Sequence, residues 1–167
     1  MQIQKGNKLI YGTFGLCCVK DINLRSFSSN VPKERYIILS PISSPMSTYY
    51  ILEKNADTLL RLPLTTEEIN DLIKKAKDIR INWIDNRQLR SDNFRSVLSK
   101  GVSPELISLL HCLYQRREQL KAANKTLSST DEAIYSSAEK LLLEEFSYSL
   151  RISKDAVNGY IGRFFED

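Results

Sequence analysis

Trp83, the only tryptophan in the chain, lies between Arg80 and Arg87, with Arg90, Arg95 and Lys100 following. A flat apolar ring among guanidinium groups can do one of two things. It can pack into a core, for which Ile79, Ile84 and Leu89 partly supply apolar neighbours. It can also stay at the surface, where an indole can occupy an unstacked base step while the cations hold phosphates. The residues alone favour the core, and a solvated helix face is the ordinary meaning of scattered charges. Other reactive types offer less. The single histidine, His111, sits beside Cys112 in a leucine-rich stretch, so no Ser/His/Asp set can be assembled. Glu139, Glu144 and Glu145 share a helix, where adjacent carboxylates point in different directions. No glycine loop of the phosphate-cradling kind is present. The reading is therefore of a protein without enzymatic activity, without a cofactor and without a small-molecule substrate.

Charge distribution adds to this. The 167 residues carry a net charge of +4. From Lys74 to Lys125 there are twelve Lys/Arg against five Asp/Glu, and from Asp131 to Asp167 four against eight. A basic middle segment attracts phosphates and points to a nucleic-acid contact. Three cysteines, Cys17, Cys18 and Cys112, make no disulfide framework and no zinc set, which fits a reducing cytoplasm. No apolar run approaches a membrane span, and the N-terminus lacks the apolar core of a signal peptide.

The elements that must position these residues fall into two halves. Lys8–Tyr11, Leu16–Ile22, Arg35–Leu39, Thr48–Leu52 and Thr58–Leu62 read as five short strands separated by turns, as in a small, strongly curved antiparallel barrel. From Thr65 the period becomes helical. Thr65-x-x-Glu68 is a capping box ahead of Ile69, Leu72, Ile73 and Ala76. Trp83–Lys100 reads as a second helical stretch with Leu89, Phe94, Val97 and Leu98 inward and Gly101 as its stop. Ser103-Pro104 opens a third, with Leu106, Leu109, Leu110, Leu113 and Tyr114 as its stripe. Ser129-x-x-Glu132 caps a fourth, carrying Ala138, Leu141, Leu142, Glu145 and Phe146. Ser153–Phe165 forms a fifth. The expected fold is α+β: a β module over residues 1–63 and an all-helical module over residues 64–167.

The segment Gly6-Asn7-Lys8-Leu9-Ile10-Tyr11-Gly12-Thr13-Phe14-Gly15-Leu16 resembles the opening of the CarD/CdnL family of bacterial RNA-polymerase-binding regulators, whose first module also occurs in the transcription-repair coupling factor. Tyr36–Leu39, Asn82-Trp83-Ile84-Asp85 with Arg87 and Arg90, Phe94–Gly101, Leu113–Arg117 and Leu141–Phe146 follow in the same order as similar segments of that family. Asn7 stands where members have Asp, and Ile51-Leu52 where they have a hydrophobic-Pro pair. The resemblance implies an N-terminal Tudor-like antiparallel β-barrel followed by a C-terminal helical bundle. It implies that Tyr49, Tyr50, Ile51 and Leu52 form an edge strand that binds the RNA polymerase β subunit. Alternation requires that one of the two tyrosines face the module's own core. The resemblance further implies that Trp83 wedges into promoter DNA at the upstream edge of the bubble, with Arg87, Arg90, Arg95 and Lys100 on phosphates. The chain would then be a cytoplasmic transcription regulator that stabilises the promoter open complex through sequence-nonspecific DNA contacts. The alternative is a protein-interaction adaptor without DNA binding.

Overall fold

The computed structural model describes residues 1–166; Asp167, the last residue of the expected helical module, lies outside the described residues. The chain divides into two compact units, Met1–Pro63 and Leu64–Asp167, at the expected boundary.

The first unit is a five-stranded antiparallel sheet in the order β4-β3-β2-β1-β5, with β1 Lys8–Tyr11, β2 Leu16–Arg25, β3 Glu34–Pro41, β4 Tyr49–Leu52 and β5 Leu60–Arg61. Four strands follow one another as a meander, and β5 returns to the far side of β1, pairing Ile10 with Arg61 and Tyr11 with Leu60. The expected barrel is not closed by hydrogen bonds, because β4 and β5 remain at opposite ends of the sheet order. Alternation of side chains builds the core: Leu9, Cys17, Val19, Ile37, Leu39, Ile51, Ala56 and Leu60 are all buried together. A register shift between Val19 and Asp21 marks a bulge in the long β2 strand, the kind of irregularity that bends a sheet. Gly15, at φ 76°, begins the β2 strand from a backbone shape that side chains rarely adopt. The fifth strand is shorter than Thr58–Leu62. Residues Ala56–Leu59 form one helical turn, α1, and bring Leu60 into register.

Among its described residues the second unit holds five helices: α2 Thr66–Lys77, α3 Arg87–Ser99, α4 Pro104–Ala122, α5 Ser129–Leu150 and α6 Lys154–Phe165. The capping box of α2 is complete, with the Thr65 hydroxyl accepting from the Glu68 amide and the Glu68 carboxylate accepting from the Thr65 amide. Ser103 caps α4 as expected. Ser128, not Ser129, caps α5, since its hydroxyl accepts from the Asp131 amide. Gly101, at φ 74°, follows the end of α3. One apolar core joins all five helices and includes Ile69, Ile73, Phe94, Leu106, Leu109, Leu113, Leu142, Phe146 and Val157.

Three helix-face expectations fail. Tyr114 is exposed on α4 rather than part of its stripe. Leu89 is 59% exposed on α3, and Arg90 takes the inward position instead. Trp83 does not begin a helix. It lies in the irregular segment of residues 79–86, because Asn86 places the start of α3 at Arg87 by accepting from the Leu89 amide at 2.9 Å. No helix of the described residues is long and apolar enough to cross a membrane.

Candidate functional site

Within the β unit, β4 is hydrogen-bonded to β3 alone, in the register Tyr36 to Leu52, Ile37 to Ile51, Ile38 to Tyr50 and Leu39 to Tyr49. Every second residue of such an edge strand turns its N–H and C=O away from the sheet, where another strand can pair with them. Side chains alternate as the pleat demands. Ile51 is 2% exposed and belongs to the core, so only its main chain can serve an outside partner. Tyr49 turns the same way. It packs on the core and joins a ring cluster with Phe14 at 4.6 Å and Tyr11 at 5.8 Å. Tyr50 points outward and is 41% exposed, and Leu52 is half-buried.

Tyr50 is not isolated. Phe27, from the loop after β2, meets it edge-on at 5.1 Å and meets Tyr36 at the same distance. The Arg25 guanidinium sits 5.2 Å from the Tyr50 ring centre. Phe27 is itself exposed, so the outer face near β4 is an aromatic surface with one cation at its side. Sequence reading missed Phe27 and Arg25 because they lie in a polar loop and at a strand end, more than twenty residues from Tyr50. Cross-strand pairing alone brings them together.

In the helical unit, Trp83 is half-buried and packs against the core edge, 6.2 Å from the Phe94 ring. Arg90 lies 4.2 Å from the indole centre and Arg116, from α4, lies 5.0 Å away. Cation–π contacts of this geometry are worth about 0.5–2 kcal/mol each. The indole is thus held at the rim of the core by two guanidinium groups, so that core packing and surface exposure each describe one side of it.

Arg90 does not offer its charge to solvent. It is 6% exposed, and its Nε and one terminal nitrogen donate to the two carboxylate oxygens of Asp131 at 3.1 and 2.9 Å. The other terminal nitrogen donates to the carbonyl of Ile84 at 2.7 Å and to that of Asp85 at 3.3 Å. Its assignment to a DNA phosphate is therefore corrected: the group is consumed inside the unit, where it ties the Trp83 segment to the start of α5. Burial alone would push the Asp131 carboxyl up. The hydrogen bonds from Arg90 and Ser128, with the charges of Arg90 and Arg87, outweigh it and hold the carboxyl below its ordinary range.

No family model and no curated protein matches this chain. Arg87 is exposed and donates to the Thr130 hydroxyl at 3.4 Å. Arg95 is exposed and, with Ser129, Thr130 and Ser137, lines an open cavity of about 380 Å³ beside the first turns of α5. Lys100 is exposed at the end of α3. Arg87 and Arg95 therefore share a surface with the hydroxyls of α5, which the sequence placed more than thirty residues away. Arg117 is occupied differently, lying 4.2 Å over the Tyr135 ring and 3.7 Å from the Glu132 carboxylate.

Proposed function

We propose that this protein is a bacterial transcription regulator of the CarD/CdnL kind. Its β unit pairs strand β4 with the RNA polymerase β subunit, and its helical unit stabilises the promoter open complex through sequence-nonspecific contacts. The observation that carries this reading is the presentation of Trp83: a lone indole on a non-helical segment, half-buried and backed by Arg90 and Arg116. A ring so braced can press against an unstacked base step without leaving its seat. Arg87, Arg95 and Lys100, exposed on α3 and at its end, would supply phosphate contacts, which add affinity without reading sequence.

For the β unit, the reading rests on one unpaired edge that carries outward Tyr50. Main-chain pairing would give affinity, and the Tyr50–Phe27 surface would give specificity. We read the sheet, with β5 returned to β1, as a Tudor-like module whose hydrogen-bond circuit is left open. The protein would act in the cytoplasm, without catalysis and without a cofactor, and the tether to polymerase would raise its concentration at the promoter.

The test uses the full chain and two measurements. Core RNA polymerase should be retained by the wild-type chain and by Trp83→Ala, and lost or weakened with Tyr50→Ala. The promoter open complex should live longer with the wild-type chain than with Trp83→Ala. Equal lifetimes in a chain that still holds polymerase would remove the wedge and leave a protein-interaction adaptor.

A further inference from the structure

A second cavity, of about 310 Å³, lies in the helical unit between the end of α2, the segment that follows it, α4 and the end of α6. Its size falls at the lower end of the roughly 300–1,000 Å³ typical of small-ligand sites. Lys77, Arg80 and His111 line it, joined by the amides of Asn82 and Gln115, and among the described residues no carboxylate is among its lining side chains. Among the described residues neither Lys77 nor Arg80 is ion-paired, and both are exposed. A concave wall of one sign of charge concentrates the field on whatever enters it.

Two features limit negative charge at the wall. Two carbonyls near the end of α2 are already taken: that of Lys75 by the Asp78 amide, and that of Ala76 by the Ile79 amide and the Ser108 hydroxyl. Burial pushes the Cys112 thiol up, so it stays protonated at neutral pH and adds no thiolate to the wall. The imidazole of His111 is held in place by Phe165, with ring centres 4.8 Å apart and planes 13° from parallel. The cavity thus joins two free cations and two amides to a fixed pair of stacked rings.

We propose that this cavity binds a small phosphate ester with a flat unsaturated body, of the nucleoside monophosphate class. Lys77 and Arg80 take the phosphate, and Asn82 and Gln115 take polar edges of the body alongside the His111–Phe165 rings. This site does not depend on the β4 edge.

His111 is the only histidine in the chain, so its imidazole gives a single, assignable NMR signal set. The full-length protein would be titrated at low salt with adenosine monophosphate, inorganic phosphate, adenosine and a short DNA duplex. Saturable movement of the His111 signals is expected with adenosine monophosphate, with inorganic phosphate competing for the same site. Binding should weaken by about tenfold or more with adenosine, and likewise with adenosine monophosphate in the double variant Lys77→Gln/Arg80→Gln, as expected when charge-assisted contacts are lost. Both substituted residues are exposed, so the variant should keep its melting temperature. Absence of saturation, equal affinity for adenosine, or unchanged affinity in the double variant would overturn the proposal. So would movement of the His111 signals by the duplex alone, which would assign the phosphate to nucleic acid.

Discussion

Arg90 and Asp131 form a two-point ion pair across the helical unit, with both contacts at or below 3.1 Å and both side chains at most 7% exposed. The pair joins α3 to the first turn of α5, and through the Ile84 and Asp85 carbonyls it also fixes the segment that carries Trp83. A surface that presents Trp83 therefore depends on a buried contact behind it.

Asp131→Asn should destabilise the helical unit by about 3–5 kcal/mol, because it leaves the Arg90 charge buried and without its counterion. The pH dependence follows from the depressed carboxyl. A group whose folded value lies below its unfolded one adds stability above the unfolded range, near about pH 4, and loses it as pH falls through the folded value. Urea titrations from about pH 6 down to about pH 2, followed by Trp83 fluorescence, should show this acid-sensitive contribution in the wild type and lack it in Asp131→Asn. An identical acid profile in both would mean that Asp131 is not held low.

Trp83→Phe and Trp83→Ala should separate seating from contact. Phenylalanine keeps a ring between Arg90 and Arg116 and should cost less than about 2 kcal/mol, whereas alanine loses the ring packing and both cation–π contacts and should cost about 3–5 kcal/mol at most. If a free, solvated indole were the true state, neither change would move the urea midpoint.

On β4 the two faces should respond in opposite ways. Ile51→Ala removes a fully packed side chain and should cost about 2–5 kcal/mol of stability in the β unit. Tyr50→Ala gives up an exposed ring and its edge contact with Phe27, a loss of about 0.5–1.5 kcal/mol, while weakening retention of polymerase. Polymerase retention unchanged by Tyr50→Ala, measured on folded protein, would count against the Tyr50 face of β4 as the proposed contact.

The double substitution Arg87→Gln/Arg95→Gln should weaken DNA binding evenly across sequences and reduce the slope of log affinity against log salt by about 2. Arg90→Gln should instead lower the unfolding midpoint, since that side chain is already committed to Asp131. A slope that falls equally for all three positions would contradict the burial of Arg90.

Much of the local architecture was legible in the residues. The change from period two to a helical period near Pro63 marked the boundary between the units. The Thr65/Glu68 box and Ser103-Pro104 marked helix starts, because these signals act within one turn of chain and need no distant partner. Alternation at Tyr49-Tyr50-Ile51-Leu52 required one tyrosine inside and one outside, though not which.

Tertiary structure decided the rest. It chose Tyr49 as the inward ring through pairing with Leu39, and it turned Arg90 inward because Asp131, forty-one residues later, was there to meet it. A charged residue reads as solvated until its counterion is placed, and no local pattern carries that placement. For the same reason the basic residues around Trp83 could not be sorted by spacing into Arg90, which holds the segment from behind, and Arg87 and Arg95, which remain exposed beside α5.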